Sequence, residues 1–269
     1  MCFAFRSASF CFNLLCFVSL CFILELIFGK IEVAVPTFNR PRYVELMAQS
    51  LMMAKGVQDG MKMTAQGQAG STRIGTGPRV EVVVFDDESS EYGKEQLAEW
   101  FTGATIVRHK NNVGPDENTR LIMQWFLTSG VRLQSLPLIW LHFASVCFIL
   151  ELTFDETWQN NAVVIADSDM MYHPSWLMTL QEVLPEMHGV VTLYNAVTHK
   201  AFYCDEDVCV KDTVGSAGVV FCRSVVPGIL DAVVLDSNGV AKVGGGNGFD
   251  WGFSRYFVRG LTYATLTTM

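Results

Sequence analysis

Short apolar runs alternate with helix-like segments from residue 31 onward. Strands are predicted at Ile31–Pro36, Val80–Phe85 and Ala162–Ala166. The last two runs are apolar at nearly every position, which is typical of strands covered by helices on both faces. Helical spacing of apolar residues predicts helices over 42–53, 92–101, 116–127 and 176–184. This alternation predicts an α/β domain with a mostly parallel central sheet flanked by helices.

The pattern becomes mixed toward the C-terminus. A short edge strand is predicted over Ala104–Arg108, further strands over Gly189–Tyr194 and Gly218–Cys222, and a late helix over Trp251–Arg259. A chain of 269 residues is long enough for one substantial α/β domain and too short for two comfortable ones. We therefore predict one domain over 31–269, with a parallel first half and a mixed second half.

Two strongly hydrophobic segments, 10–28 and 133–154, depart from this pattern, and Phe17–Phe28 is nearly repeated as Phe143–Phe154. The first belongs to an N-terminal stretch, 1–30, that is either a membrane anchor or an extension outside the fold. The protein is expected to be membrane-associated in the first case and cytoplasmic in the second. The other segment marks an insertion near 131–160.

The insertion precedes the strand at Ala162, so it enters the sheet from the amino edge. Ligands of open α/β sheets bind at the carboxyl edge, and the insertion is therefore expected to lie away from any site. Paired membrane-contacting segments and duplicated material without a role in the fold both explain the repeat. We favour duplicated material, because His142 and Glu151 are costly to place in lipid.

Net charge and cysteine positions limit the kinds of binding site that the chain can form. A net charge of −8 and a pI near 5.1 argue against a nucleic-acid-binding surface, which needs clustered Lys and Arg. An acidic protein still binds an anionic nucleotide if a cation or backbone N–H groups offset the phosphate charge. Cys204 and Cys209 form a disulfide loop, contribute to a metal site, or remain two free thiols. We favour free thiols, because no second pair completes a zinc-type set.

Acidic residues follow two of the predicted strands. Asp86 and Asp87 end one strand, where a carboxylate can accept hydrogen bonds from a ribose hydroxyl or a pyrimidine N–H, or can cap the next helix. Asp167 and Asp169 end another, where two carboxylates can hold a divalent cation that bridges nucleotide phosphates, or can lie in a solvated turn. Because both pairs are predicted at the same sheet edge, we favour a functional role.

Two glycine-containing motifs precede predicted helices. In 111–120, a turn at Gly114 can present backbone N–H groups to phosphate or pack close to a nucleotide, although a helix cap explains it equally well. In 244–251, a run of glycines leads to Asp250, which can act as a general base toward an acceptor hydroxyl or cap a helix.

The order of five motifs resembles family 2 glycosyltransferases of the GT-A fold. They are AVPTFNR at 34–40, then FDDESS, NNVGPDENTR, ADSDMMYHPSW and GFDWGFSRYF. The resemblance extends from Ile31 to Gly260 without residues 131–160. It implies a nucleotide-binding first half and an acceptor-binding second half, a nucleotide-diphosphate sugar donor (a UDP-sugar is expected), and Mn²⁺ or Mg²⁺. The implied reaction is hexosyl transfer to a hydroxyl of a glycan, lipid or protein, with inversion.

The resemblance also implies site residues. Pro36, Thr37 and Asp87 are expected to line the nucleoside pocket with Asp86 beside them, and Arg120 is expected to bind the donor. Asp167 and Asp169 match the family's Asp-X-Asp metal pair, with Asp167 also at the donor, and Asp250 matches the catalytic base. Two alternatives stay open. One is a catalytically inactive relative that binds sugar nucleotides, and the other is a membrane-associated protein organised by its two hydrophobic segments.

Overall fold

The computed structural model describes residues 30–54, 56–57, 79–129, 162–184, 189–194, 201–204, 208–211, 215, 217–233, 235–237, 240, 242–243, 246–247 and 263–266. Asp250, the predicted helix over 251–259 and the hydrophobic segments 10–28 and 133–154 lie outside these residues. Within the described part of the chain, no helix is both long enough and apolar enough to cross a membrane.

The described elements follow the predicted alternation. The α-helices are α1 (Pro41–Met53), α2 (Lys94–Trp100), α3 (Pro115–Ser129), α4 (Trp176–Val183) and α5 (Val226–Ala232). The first strands are β1 (Lys30–Thr37), β2 (Arg79–Asp86), β3 (Thr105–Arg108) and β4 (Ala162–Ile165). The later strands are β5 (Val190–Thr192), β6 (Ala201–Cys204), β7 (Val208–Lys211), β8 (Val219–Cys222), β9 (Lys242–Val243), β10 (Gly246–Asn247) and β11 (Tyr263–Leu266).

The main described sheet has nine strands in the order β3-β2-β1-β4-β8-β5-β11-β7-β6. Strands β3, β2, β1 and β4 are mutually parallel, with Thr37 opposite Asp86 and Ala34 opposite Ile165. Strand β8 runs antiparallel to both β4 and β5, and β7 is antiparallel to β6 and β11. This topology confirms the prediction of a mostly parallel first half, a mixed second half and an edge position for β3.

Alternate residues of the central strands supply two separate cores. On one face, residues such as Val33 and Val82 pack in a cluster with Met47 of α1, Leu97 of α2 and Leu177 of α4. The other face packs against α3 and α5 through residues that include Ala34, Val83, Val163, Phe126 and Ile229. Because both faces are buried, β1, β2 and β4 need apolar residues at successive positions, which explains their nearly continuous hydrophobic runs.

The ends of the predicted insertion lie at the amino edge of this sheet. Ala162, after the insertion, pairs with Ile31 near the start of β1. Ser129, before it, donates a hydrogen bond of 2.8 Å from its Oγ to Oε1 of Glu32. Both ends are therefore opposite the carboxyl edge, as predicted for the point of insertion, while residues 131–160 themselves are outside the described residues.

The expectation of two free thiols was wrong. Cys204 and Cys209 are cross-strand partners in the β6–β7 hairpin, and they form a disulfide. Directly opposed residues of an antiparallel pair have Cβ atoms within reach of such a bond. The spacing of two cysteines in a sequence does not reveal whether the intervening chain reverses direction. The absence of a second cysteine pair argues against a zinc site, but it does not argue against a disulfide.

Candidate functional site

Asp86, at the carboxyl end of β2, is a fully buried acceptor. Its Oδ1 accepts hydrogen bonds from the hydroxyls of Thr37 and Ser89, at 3.2 Å for Thr37. Its Oδ2 pairs with Nε of Arg108 at 3.2 Å. Helix α2 begins later, with Gly93 as its N-cap and no side-chain capping bond, so Asp86 does not cap it. Asp86 instead ties together the ends of β1, β2 and β3.

Asp87 ties the same edge to the glycine motif before α3. Its carboxylate accepts hydrogen bonds from the backbone N–H groups of Val113 and Gly114, at 2.7 and 2.9 Å. The N–H of Asn112 donates to Oε2 of Glu88 at 2.7 Å. Three backbone donors of this turn are therefore bonded to carboxylates of the chain. This arrangement favours close packing of the loop against the edge, rather than direct presentation of those N–H groups to phosphate.

Arg120 lies on α3, which follows the turn that Asp87 holds. Its guanidinium forms two hydrogen bonds to Glu117 one turn earlier on α3, with Nε 2.6 Å from Oε2. The hydrogen bonds to Glu117 raise the pKa of Arg120. Pro36, the residue before the end of β1, is partly buried, and Thr37 is buried. Any anion that binds Arg120 has to share its guanidinium with Glu117.

The turn after β1 has an unusual backbone. Asn39 and Arg40 have φ of 52° and 57°, and Glu88, in the neighbouring turn after β2, has φ of 62°. Each non-glycine residue in such a region costs about 1–3 kcal/mol, and strained residues of this kind cluster at ligand sites. The N–H of Asn39 donates to Oγ of Ser89 at 2.8 Å, and its Oδ1 accepts from the N–H of Ser90 at 2.9 Å. The two turns therefore hold each other in place.

Asp167 and Asp169 lie in the turn after β4, at the same edge. Burial, and then the charge of Asp169, raise the pKa of Asp167 to about 7, while a hydrogen bond from the N–H of Gly218 acts in the opposite direction. The Asp169 side chain is exposed, and its Oδ2 is 3.5 Å from Nη1 of Arg40. The structure therefore brings the predicted metal pair next to the strained turn after β1.

Three residues at this edge were not assigned roles from the sequence. Arg40 reaches Asp169, and Gly218 donates to Asp167. Tyr172 is buried near the acidic turn, where burial first and then the charges of Asp167 and Asp169 raise its pKa. Arg40 lies within the AVPTFNR motif, and its place in that motif was the available signal. Tyr172 lies within the ADSDMMYHPSW motif, three residues after Asp169, whereas for Gly218 only the tertiary structure shows the proximity.

The acidic turn is the predicted site of a divalent cation. Among the described residues, no group of three or more His, Cys, Asp or Glu side chains is placed to hold a metal ion. Mg²⁺, however, is commonly bound by one or two carboxylates together with substrate phosphates and water. Asp167 and Asp169, separated by one residue, supply two carboxylates to this turn, and their binding of a cation stays a prediction.

Comparison with solved structures identifies the class of fold. The structure of residues 1–349 of Staphylococcus aureus TarS in complex with UDP-GlcNAc matches with a TM-score of 0.50 and 13% identity, over 89% of this chain and 56% of that one. The complex of the same TarS segment with UDP gives a TM-score of 0.50 and 13% identity, over 89% and 58%. The fold is that of GT-A-type glycosyltransferases.

This chain spans a little more than half of the length of the two TarS structures. No protein-family profile and no curated protein sequence matches it. In the GT-A sheet described above, Pro36, Thr37, Asp86, Asp87, Asp167 and Asp169 all lie at or just beyond the carboxyl ends of β1, β2 and β4. Their roles in binding stay predictions, as does the role of Asp250 outside the described residues.

Proposed function

We propose that this chain is a glycosyltransferase that transfers a hexosyl group from a nucleotide-diphosphate sugar to a hydroxyl acceptor. One observation carries the proposal. The strained turn after β1, the loop held by Asp87 and the acidic turn after β4 meet at the carboxyl edge of a GT-A sheet. Ligands of open α/β sheets bind at this edge. A UDP-sugar is the proposed donor, since the TarS structures contain UDP-GlcNAc and UDP.

In this proposal Pro36 and Thr37 form one wall of the nucleoside pocket. Asp86 holds Thr37 in place by accepting a hydrogen bond from its hydroxyl. Asp87 holds the loop before α3 by accepting from the N–H groups of Val113 and Gly114. A carboxylate has about four lone-pair sites, so Asp87 keeps acceptor capacity for a base or ribose group. Arg120 lies on the first turns of α3, where we propose that it contacts the donor while still paired with Glu117.

Asp167 and Asp169 are the proposed ligands of Mn²⁺ or Mg²⁺. Such an ion would neutralise the negative charge that develops on the departing diphosphate. The acceptor oxygen forms a bond to the anomeric carbon while the bond from that carbon to the diphosphate breaks. We propose that Asp250 takes the proton of the acceptor hydroxyl. A single displacement of this kind inverts the configuration at the anomeric carbon.

The test is calorimetric titration of UDP, GDP and CDP into the full chain, with and without Mn²⁺. We expect binding of UDP that depends on Mn²⁺ and is lost in Asp169→Asn. The matched control is Asp231→Asn, which removes the same charge from an exposed position on α5. Binding that persists in Asp169→Asn would contradict the metal assignment, and a folded wild type that binds no nucleotide would overturn the proposal.

Turnover separates an enzyme from a binding protein. We expect release of UDP from a UDP-hexose in the presence of Mn²⁺ and an acceptor, and loss of this release in Asp250→Asn without loss of UDP binding. A wild type that binds UDP tightly and releases none from any acceptor tested would instead identify a catalytically inactive relative.

A further inference from the structure

Arg40 joins two turns that are distant in the sequence. It lies between β1 and α1, and its Nη1 is 3.5 Å from Oδ2 of Asp169, beyond the end of β4. Both side chains are well exposed, at 67% for Arg40 and 55% for Asp169, so neither is locked in place by packing. The guanidinium therefore pairs with one of the two carboxylates to which the proposed function assigns a divalent cation.

The backbone of Arg40 is held in a conformation that arginine rarely adopts. Its φ and ψ are 57° and 54°, in the left-handed region that favours glycine. Its carbonyl accepts hydrogen bonds from the N–H groups of Tyr43 and Val44, at 3.0 and 3.2 Å. On the other side, Asn39 is held by Ser89. Since glycine would avoid the strain, an arginine at this position indicates a use for its side chain.

Arg40 and a divalent cation compete for the same carboxylate. A cation bound to Asp169 removes the charge that holds the guanidinium, and Arg40 is then free to turn while its Cα remains fixed by the turn. The diphosphate of a nucleotide, bound at the same edge, is the nearest new anion in the proposed function. A planar guanidinium binds phosphate through two parallel hydrogen bonds. The cation on Asp169 cannot donate such hydrogen bonds to the phosphate oxygens.

We propose that Arg40 alternates between two anionic partners. It pairs with Asp169 in the free protein, and it binds the diphosphate of the nucleotide once Asp169 has taken up the cation. Arg40 thus offsets the negative charge of Asp169 before the metal binds, and it contacts the diphosphate of the nucleotide afterward. This inference rests on the proposed function, but it makes its own prediction: removal of the guanidinium has opposite effects on the two ligands.

The experiment measures two affinities in full-length Arg40→Gln, by calorimetry with MnCl₂ alone and with UDP at saturating Mn²⁺. We expect Mn²⁺ to bind about 2- to 5-fold more tightly, because an exposed ion pair no longer competes. We expect UDP to bind about 10-fold more weakly or worse, because a charge-assisted hydrogen bond is lost. The matched control is Arg42→Gln, which removes the same charge from an exposed residue two positions along.

Arg40→Gly separates binding from folding. Glycine suits the φ of this turn, so this variant should melt at the wild-type temperature or above and still show both shifts in affinity. Unchanged affinities in both variants, equal shifts in Arg42→Gln, or weaker binding of both ligands would each overturn the role of Arg40 while leaving the transferase proposal in place. A wild type that binds no UDP would overturn both proposals together.

Discussion

Charged side chains lie at both edges of the parallel strands, but they are used differently. At the amino edge, Glu32 is fully buried and pairs with Lys30 at 2.7 Å and with the hydroxyl of Ser129 at 2.8 Å. Nearby, Arg223 is buried with its guanidinium carbon 4.0 Å from the ring centre of Phe126. At the carboxyl edge, by contrast, the Arg40–Asp169 pair is exposed on both sides.

The difference distinguishes charges that hold the fold from charges that are available to a ligand. A buried charge requires partners, because desolvation without them is costly, and removal of one partner leaves the other uncompensated. An exposed pair contributes about 0–1 kcal/mol to stability and exchanges partners easily. The carboxyl edge contains both kinds: Asp86 is committed to the chain, whereas Asp169 and Arg40 face solvent.

The largest effect is expected for Asp86→Ala. The change leaves Thr37, Ser89 and Arg108 without their shared acceptor, and it should lower the free energy of unfolding by about 2–4 kcal/mol. Urea denaturation followed by circular dichroism measures this. Asp169→Ala, at the same edge but exposed, is the matched control and should cost less than about 1 kcal/mol. Equal costs for the two variants would remove the distinction between committed and available carboxylates.

A smaller effect is expected for Gly218→Ala. The φ of Gly218 is +59°, and an added Cβ would lie 3.1 Å from Cβ of Leu193. The left-handed backbone costs about 1–2 kcal/mol for a residue with a Cβ, and the crowding adds to it. Gly114→Ala is the control, because its φ is also positive, at +85°, while its added Cβ would meet open space. If Gly218→Ala destabilises no more than Gly114→Ala in the same denaturation experiment, the contact with Leu193 has no energetic consequence.

The burial of Glu32 at the amino edge predicts that the free energy of unfolding depends on pH. Burial, the largest cause, raises the pKa of Glu32 above its ordinary value of 4.5, although Lys30 and Ser129 act in the opposite direction. The folded state therefore binds the Glu32 proton more strongly than the unfolded state does. The resulting stabilisation is full below the unfolded pKa and is lost as pH rises through the higher folded pKa.

Glu32→Gln removes this titration. The free energy of unfolding of the variant should therefore improve relative to wild type as pH rises from below 4.5 to neutrality. Urea denaturation at a series of pH values measures the difference, and Glu99→Gln on the exposed side of α2 is the control. A difference that stays constant, or a variant that loses stability relative to wild type as pH rises, would show that the ion pair and hydrogen bonds of Glu32 outweigh its burial.

Local pattern was sufficient for most of the first half of the fold. β1, β2 and β4 were recognised because strands buried on both faces need nearly continuous apolar residues, and α1, α3 and α4 because one face of each is apolar. Helix α5 was not predicted, since Pro227 and Gly228 near its start interrupt the helical pattern. The β6–β7 hairpin was also not predicted, because short strands at a sheet edge carry little periodicity. The Cys204–Cys209 disulfide was therefore an alternative but not the favoured one.

The sequence by itself determined the α/β alternation and the position of Asp86, Asp87, Asp167 and Asp169 after strands, because strand periodicity and chain direction require only local information. The tertiary structure decided which of these carboxylates remain available. Asp87 bonds to a loop before α3, Gly218 reaches Asp167, and Arg40 faces Asp169. Such contacts depend on strand order and on the exact course of the turns. These features arise from packing across the whole sheet, which no short stretch of sequence encodes.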